Sequence, residues 1–260
     1  YIGLNAAGTS SFTSSTAGVY VTGAASSNTI GGESAAARNV ISGDDGFGLE
    51  ISGLGTTANL VEGNYIGTDA AGGAAIGDRQ DAVLIINGAS ANVIGGEAPG
   101  DGNLISGNFA NGVEISAVGT TGNVVAGNFV GPNAAGTAPL GNAGAGLRID
   151  YGASGNIIGG TNAGARNVIS GNLQDGIDIY SAGTSGNVVE GNYIGTDVTG
   201  EAALGNGGHG ILLFSGASGN TIGGTTAGAR NVISGNVTVA VSLHDVGTSG
   251  NVVEGNYIGT

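Results

Sequence analysis

The chain of 260 residues has no cysteine, methionine or tryptophan, and it has only three prolines. The lack of cysteine fits an extracellular protein that needs no disulfide, although it does not require that location. Aromatic residues make up 5% of the chain, so the core has to be built from valine, isoleucine, leucine and alanine. No apolar run approaches the length of a transmembrane helix, and membrane insertion is therefore not expected.

Positive charge is also scarce. Five basic residues, all arginine, face 19 acidic ones, and the net charge is −14. Such a surface repels nucleic acids and anionic lipids, which leaves cations and neutral glycans as better ligands. Glycine is abundant, with 57 residues, but it has no three-residue period, so collagen is excluded. A hydrophobic content of 40% is too high for a disordered glycine-rich linker.

The sequence repeats with a strict period of 64 residues. An aromatic residue followed by Ile or Val and by Gly begins at positions 1, 65, 129, 193 and 257. The units are 1–64, 65–128, 129–192 and 193–256, and a fifth begins at 257–260. A sequence period of this kind is typical of a solenoid, in which each repeat packs only on its neighbours. We therefore predict a single solenoid domain over residues 1–260.

Each unit divides into two related halves, and each half contains three short apolar segments separated by Gly, Asn, Ser and Thr turns. Three strands per coil predict an all-β protein, a three-sheet parallel β-helix of about eight coils. Alternation in the first strand of each coil predicts an inward pair of apolar side chains. These pairs are Val19/Val21, Leu49/Ile51, Val83/Ile85, Val113/Ile115, Leu147/Ile149, Ile177/Ile179, Ile211/Leu213 and Val241/Leu243.

Two motifs carry a resemblance. N-x-I-G-G-T-x-A-G-A-R-N-V-I-S-G-N and G-N-V-V-E-G-N-Y-I-G-T-D resemble the right-handed parallel β-helix repeats of long, repetitive bacterial surface and secreted proteins. With the general rule for parallel connections, the resemblance implies a right-handed coil. It implies no single function, because pectate lyases, polygalacturonases, epimerases, tailspikes and passive stalks share the fold.

Asparagine recurs at the start of the second and third strands of every coil. Inward amides stacked from coil to coil can hydrogen-bond to one another and to turn backbone, so we interpret both series as structural ladders. One series is Asn28, Asn59, Asn92, Asn123, Asn156, Asn187, Asn220 and Asn251. The other is Asn39, Asn64, Asn103, Asn128, Asn167, Asn192, Asn231 and Asn256.

An aromatic residue follows the second ladder once in every unit. Tyr65, Phe129, Tyr193 and Tyr257 are expected to face outward, where a strip of rings could stack on a glycan. The alternative is that the long loop after each ring folds back over it. Arginine occupies another equivalent position, where it could anchor backbone carbonyls or pair with acids on the adjoining turn. Its members are Arg38, Arg166 and Arg230, with Gly102 in the fourth place.

Acidic residues break the repeat in two neighbouring turns. Asp44 and Asp45 precede the first strand of one coil, and Asp78 and Asp81 precede that of the next. Carboxylates gathered there could bind calcium or a glycan, or could hydrolyse a glycosidic bond. We discount catalysis at this place because Arg79 is its sole basic residue, whereas a lyase needs a cationic base or charge stabiliser.

Other departures from the repeat lie further along the chain. Glu114, Arg148 and Asp178 fall at equivalent outward positions on successive coils and are expected to form a vertical ion triplet. His209 lies in a turn and His244 on an outward strand position, neither with an evident partner. We assign no catalytic residue from the sequence and require no cofactor, with calcium as an optional ligand.

The first and last ten residues are ordinary repeat sequence without a polar cap. This favours an extracellular structural rod, part of a surface fibre, stalk or matrix filament, whose partners are further repeats or copies of itself stacked end to end. On this interpretation the chain is not an enzyme. The alternative is a glycan-binding adhesin module, and the second alternative is a polysaccharide-processing enzyme of the lyase, hydrolase or epimerase type.

Overall fold

The computed structural model describes residues 1–12 and 16–259; Thr260, the last residue of the incipient fifth unit, lies outside the described part. Short strands of two to six residues account for the regular structure, because apolar pairs are interrupted every few residues by turn-forming Gly, Asn and Ser. The helical structure among the described residues is a single 3-10 turn at Ala163–Ala165. The chain is therefore all-β, as the sequence predicts.

The strands form three parallel sheets of eight strands each. The first sheet contains β1 (Ala17–Val21), β4 (Phe47–Ser52), β7 (Val83–Ile86), β10 (Val113–Ser116), β13 (Leu147–Asp150), β16 (Ile177–Tyr180), β19 (Ile211–Phe214) and β22 (Val241–Leu243). The second contains β2 (Thr29–Gly31), β5 (Leu60–Glu62), β8 (Val93–Gly95), β11 (Val124–Ala126), β14 (Ile157–Gly159), β17 (Val188–Glu190), β20 (Thr221–Gly223) and β23 (Val252–Glu254). The third contains β3 (Val40–Ile41), β6 (Tyr65–Ile66), β9 (Leu104–Ile105), β12 (Phe129–Val130), β15 (Val168–Ile169), β18 (Tyr193–Ile194), β21 (Val232–Ile233) and β24 (Tyr257–Ile258).

Each strand pairs with the strands three places before and after it, so three consecutive strands make one coil and the next coil stacks on it. The register keeps equivalent residues of successive repeats side by side: Val113 pairs with Val83 in one direction and with Leu147 in the other. This confirms the predicted parallel β-solenoid of about eight coils. The right-handedness of the coil stays a prediction from the resemblance.

The core is a single aliphatic column along the axis. Inward side chains such as Leu49, Ile115, Ile149 and Ile179 are fully buried, as their alternation predicts. The last coil differs, since Leu243 is 44% exposed. None of the described residues forms a helix that is long and apolar enough to cross a membrane.

The two predicted asparagine series form continuous ladders at the corners of the coil. In each, the side-chain amide of one Asn donates to the Oδ1 of the Asn on the next coil at 2.8–3.1 Å in the first series and 2.9–3.1 Å in the second. The same Oδ1 also accepts the backbone N–H of the Asn that donates the amide, which lies one coil nearer the N-terminus. Buried turn backbone thereby obtains partners that water cannot supply.

A third ladder, which the sequence analysis missed, runs through the turn between the third sheet and the first. It consists of Asn108, Asn142, Asn172, Asn206 and Asn236, joined by amide hydrogen bonds of 2.8–2.9 Å. Toward the N-terminus, Asp78 and Asp44 continue the same ladder. Two of the four acids predicted to form a surface site are thus buried in structural positions.

Candidate active site on the outer face of the first sheet

The four aspartates predicted to form one acidic site lie in three different environments. Asp44 and Asp78 are buried in the third ladder, where the Asp78 Oδ1 accepts the Asp44 N–H at 3.0 Å. Asp45 is exposed and pairs with Arg79 at 2.7 Å. Asp81 accepts the backbone N–H of Asn111 at 2.8 Å. The structure does not gather the four carboxylates into one surface site, because Asp44 and Asp78 are buried in the ladder.

The predicted aromatic strip is largely covered. The guanidinium carbon of Arg38 lies 3.9 Å from the ring centroid of Tyr65, and the same stacking occurs for Arg166 on Tyr193 and Arg230 on Tyr257, at 4.1 and 4.2 Å. The Nε of each arginine donates to a glycine carbonyl of the next coil, which is the first of the two roles that the sequence left open.

The loop that follows each ring also folds back over it. A Cβ added at Gly200 would lie 2.7 Å from the Tyr193 Cζ, which shows how closely the loop backbone approaches the ring. Of the two interpretations left open, the structure therefore favours the covered ring for Tyr65 and Tyr193. Tyr257, on the last coil, remains 50% exposed. Among the described residues, no arginine stacks on the ring of Phe129.

The strongest departure from repeat symmetry lies on the outer face of the first sheet. Outward positions of β10, β13 and β16 place Glu114, Arg148 and Asp178 side by side, where β7 and β19 have Leu84 and Leu212. A charged centre is therefore flanked along the axis by aliphatic residues. We call the group Glu114, Arg148, Asp150, Asp175, Asp178, Tyr180 and His209 the first-sheet site.

Arg148 is the centre of this site. Its Nη2 lies 3.3 Å from the Asp178 Oδ2, and about a quarter of the arginine side chain is exposed. Its buried Nε has no hydrogen-bond partner among the described residues. The predicted ion triplet is only half formed, because Glu114 Oε2 instead accepts the Asn111 side-chain amide at 3.0 Å. The exposed quarter of the Arg148 side chain is the part that a ligand could reach.

The carboxyl groups beside Arg148 are partly desolvated. Burial, followed by the charges of Asp81 and Asp150, raises the pKa of Glu114 to about 7. Burial, followed by the charge of Asp175, raises the pKa of Asp178 to about 7. Desolvation favours the neutral form of an acid, and a neighbouring carboxylate acts in the same direction. Near neutral pH, these two groups can therefore hold or release a proton.

Asp175 and His209 form a pair in the turns before β16 and β19. The His209 Nδ1 lies 2.9 Å from the Asp175 Oδ1, which also accepts the backbone N–H of His209. An ionised aspartate at Nδ1 holds the proton there and leaves Nε2 as a proton acceptor. The pair is coupled to Arg148 through Asp178, since the Asp175 charge acts on Asp178. His209, which seemed to lack a partner in the sequence, is thus held by the carboxylate of Asp175.

An aromatic ladder continues the site along the sheet. Tyr180 stacks on Phe214 with centroids 4.8 Å apart and meets Tyr151 edge to face at 5.9 Å. Arg148 lies 5.5 Å from the Tyr180 centroid. Burial and then Asp150 raise the pKa of the Tyr180 hydroxyl, so it is protonated at neutral pH. Asp150 itself is buried and accepts the Ser116 hydroxyl at 2.5 Å. Rings of this kind offer faces to a sugar.

Sequence reasoning missed the aromatic ladder and the Asp175–His209 pair. A signal existed, because Tyr180 and Phe214 occupy equivalent strand ends on successive coils. Asp175 and His209 likewise occupy equivalent positions two residues before Ile177 and Ile211. The prediction used only departures that introduce acidic residues, and it therefore placed the candidate site at Asp44 and Asp45. No group of three or more His, Asp or Glu side chains suited to a metal occurs within residues 1–12 and 16–259.

No protein-family model matches the sequence, and no curated protein matches it. Solved structures share the fold. The periplasmic alginate epimerase AlgG, as its T265N mutant, is 16% identical with a TM-score of 0.52 over 85% of this chain and 50% of that one, so this chain spans about half its length. An alginate lyase from Paenibacillus sp. str. FPU-7 is 16% identical with a TM-score of 0.41, over 96% of this chain and 89% of the lyase. The Azotobacter vinelandii mannuronan C-5 epimerase AlgE6 A-module is 14% identical with a TM-score of 0.41, over 86% and 55%.

These neighbours correct two expectations. The predictions of an inert structural rod and of a chain that is not an enzyme were wrong: a solved structure that matches with a TM-score of 0.52 is an alginate epimerase, a protein of the kind named in the second alternative. Catalysis was discounted because Arg79 is the sole basic residue near Asp45, whereas Arg148 and His209 each pair with an aspartate in or just before β16, on another part of the coil. End-to-end association is not shown.

Proposed function

We propose that the chain processes a uronate-containing polysaccharide at the first-sheet site, by abstracting a proton next to the sugar carboxylate. The observation that carries the proposal is the Asp175–His209 pair in the turns before β16 and β19, next to the Arg148–Asp178 ion pair, since Asp175 and Asp178 belong to the same coil. Proton abstraction beside a carboxylate requires a base and a group that stabilises the negative charge that develops. Both are present here, and the neighbours of the same fold are an alginate epimerase and an alginate lyase.

Arg148 is the residue that would bind the sugar carboxylate. Its guanidinium is partly exposed and held from behind by Asp178, and its planar fork suits a carboxylate. The overall charge of −14 opposes a polyuronate at long range. At the site itself the opposition is weaker, because Glu114 and Asp178, with pKa values of about 7, are partly neutral.

His209 would remove the proton on the carbon next to the carboxylate, C5 of a uronate. The electron pair left by the C–H bond moves into the carboxylate, where Arg148 stabilises it, and the proton goes to Nε2 of His209. Asp175 stabilises the imidazolium that forms, as an aspartate does in other carboxylate–histidine pairs. The contribution of such a base is typically about 10²–10⁴-fold in rate.

The intermediate has two outcomes. If a proton returns to the opposite face of C5, the product is an epimer. If the C4–O bond breaks instead, a C4=C5 double bond forms and the leaving oxygen needs a proton. Asp178 is suited to supply that proton, because it lies one coil from the strand that follows His209, and burial and the charge of Asp175 raise its pKa to about 7. Tyr151, Tyr180 and Phe214 form the sugar platform along the sheet. A polymeric substrate also favours a location outside the cytoplasm.

The direct test is incubation with a panel of polyuronates in deuterated water. Deuterium incorporated at C5, seen by NMR, reports proton abstraction that ends in an epimer or in return to the substrate. Abstraction followed by elimination leaves no hydrogen on C5, so it is detected through the unsaturated product. We expect His209→Ala and Arg148→Gln to reduce the rate by at least about 100-fold. Absence of exchange and of unsaturated product for every polyuronate would overturn the proposal.

Matched variants separate function from folding. Asp175→Asn should lower the rate strongly, because it removes the group that orients His209 Nδ1. Asp45→Asn is its control, since Asp45 lies 2.7 Å from the Arg79 Nε in an exposed pair away from the first-sheet site and from its aromatic ladder. Arg79→Gln serves the same purpose for Arg148→Gln, because Arg79 pairs with Asp45 on the surface. Equal losses in test and control variants would contradict the assignment.

A second candidate is hydrolysis of a neutral glycan. It is favoured by the raised pKa values of Glu114 and Asp178, which are carboxyls on either side of Arg148, two strands or about 10 Å apart along the sheet. Inverting glycosidases place an acid and a base at nearly this separation. New reducing ends on neutral polysaccharides, without deuterium at C5 and without unsaturated product, would identify hydrolysis.

A further inference from the structure

A cavity of about 360 Å³ lies beside the third sheet, in the one repeat that lacks the stacking arginine. Phe129 is the aromatic residue of that repeat, and Gly102 stands where Arg38, Arg166 and Arg230 stand in the other three. Tyr65, Leu104 and Pro99 also contribute to the lining. The volume is in the range of small-ligand sites.

The other repeats show what the space accommodates. At Tyr65, Tyr193 and Tyr257, a guanidinium lies about 4 Å from the ring centroid. The arginine Nε donates to the carbonyl of Gly63, Gly191 or Gly255 at 2.7–3.2 Å. In the exceptional repeat, Gly102 has no side chain, and the equivalent carbonyl belongs to Gly127, which also lines the cavity. A ring face and a carbonyl acceptor that are used elsewhere are thus both available.

The protein does not supply the missing arginine from another position. Among the described residues, the cations found over aromatic rings are Arg38, Arg148, Arg166 and Arg230, and none lies over Phe129. The backbone is also arranged differently, since a Cβ at Gly102 would lie 2.0 Å from the Gly127 oxygen. The space is therefore a feature of this repeat and not an arginine position with a shortened side chain.

The charges around the cavity are mainly negative, although Arg38, stacked on Tyr65, also lines it. Glu97 lines it, and one of its oxygens accepts the Asn162 amide at 2.8 Å, which leaves the other available. Asp101 adjoins Gly102, and its Oδ1 has no hydrogen-bond partner in the described part of the chain. The nearby Glu62 has a raised pKa through burial and then through the charges of Asp101 and Glu33, so carboxylates are concentrated here.

We propose that this cavity binds a ligand that carries an alkylguanidinium group. The guanidinium stacks on Phe129, donates to the Gly127 carbonyl and pairs with Glu97, so that it reproduces from outside the contacts that an arginine makes within the other repeats. The site belongs to the third sheet and is independent of the function proposed for the first-sheet site.

The probe is N-butylguanidinium, compared with N-butylurea, which has nearly the same shape without the charge. Titration is followed by NMR through the Phe129 ring and the Gly127 amide. Cation–π stacking and the ion pair predict binding at least about tenfold tighter for the guanidinium than for the urea. Equal affinity of the two probes, or shifts confined to other residues, would overturn the proposal.

Variants locate the binding. Phe129→Leu keeps an apolar side chain on β12 and should weaken guanidinium binding at least about tenfold, while Tyr193→Leu removes a ring already covered by Arg166 and should not. Glu97→Gln, on an exposed loop, should weaken binding severalfold, more at low salt than at high salt. Thermal melts establish that each variant is folded. Binding unchanged in both Phe129→Leu and Glu97→Gln would contradict the site.

Discussion

The corners of the coil and the outer face of the first sheet follow opposite rules. At the corners, the same asparagine returns on every coil, and each amide bonds to the next within 2.8–3.1 Å. On the outer face of the first sheet, equivalent positions carry Leu84, Glu114, Arg148, Asp178 and Leu212 in succession. Structural positions are repeated because every coil needs them, whereas chemistry is needed once. In a repeat protein, a functional site is therefore best sought where the repeat fails.

Breaking a ladder should have the largest effect. Asn128 donates to the Ile94 and Ala126 carbonyls and to Asn167, and its Oδ1 accepts both the N–H and the amide of Asn103. Asn128→Ala leaves several of these groups buried without partners. We expect a loss of roughly 3–6 kcal/mol in the free energy of unfolding, measured by denaturant titration.

The control for this variant is Asn162→Ala, because Asn162 is exposed and its amide contacts only the Glu97 carboxylate. Its expected effect is within about 0.5 kcal/mol. If the two variants were equally stable, the ladders would contribute no more than surface contacts, and the contrast between corners and outer face would lose its energetic basis.

Asp78 tests the comparison from the other side, as an exception within a ladder. Burial raises its pKa from 3.8 to about 8, so the folded protein retains a proton that the unfolded chain releases near pH 4. Between these values the unfolded state binds fewer protons, and the free energy of unfolding falls as pH rises. Asp78→Asn removes this dependence and restores an amide donor like that of Asn108, which reaches the Ile66 carbonyl.

The stability advantage of Asp78→Asn over the unmodified chain should therefore grow from pH 5 to pH 8, by up to about 4 kcal/mol. Urea titrations of both proteins at several pH values measure it. Comparing the two isolates Asp78 from Asp81, Glu114 and Asp178, whose pKa values are also raised. A difference that is independent of pH would show that Asp78 is ionised in the folded state.

Much of the corner and core structure could be predicted from the sequence, and little of the site. Periodicity placed Leu49, Ile115 and Ile179 inside, because a solenoid repeats its burial with its sequence. Asp78 was predicted to lie at the surface because acidic side chains usually do. In the structure it continues a buried ladder whose other members are asparagine and Asp44. The Asp175–His209 pair, 34 residues apart, depends on the coil stacking, which brings together turns that no local motif connects.

Asp178 sharpens the comparison on the functional side. As a proton donor to the leaving oxygen it must be protonated, and its pKa of about 7 predicts that bond cleavage falls about tenfold per pH unit above that value. Asp178→Asn, whose amide oxygen can still accept from Arg148, should lose cleavage and keep deuterium exchange at C5, since His209 is untouched. Loss of both in a folded variant would place Asp178 in substrate binding rather than in proton donation.

The smallest change in stability is expected for the repeated arginines, which lie near the surface of the coil. Arg166 stacks 4.1 Å from the Tyr193 centroid and donates to the Gly191 carbonyl at 3.2 Å. Arg166→Gln should lower the free energy of unfolding by about 1 kcal/mol, because it removes a cation–π contact and a backbone anchor. Arg79→Gln, which loses only the exposed ion pair with Asp45, should change it by about 0–1 kcal/mol, and less at high salt. Denaturant titrations at low and high salt distinguish the two, because stacking on a ring survives screening better than an exposed ion pair. Suppose instead that both variants lost the same free energy of unfolding and that salt reduced both losses equally. The repeated arginines would then act only as surface charges, and the absence of an arginine at Gly102 would not leave a binding space beside Phe129.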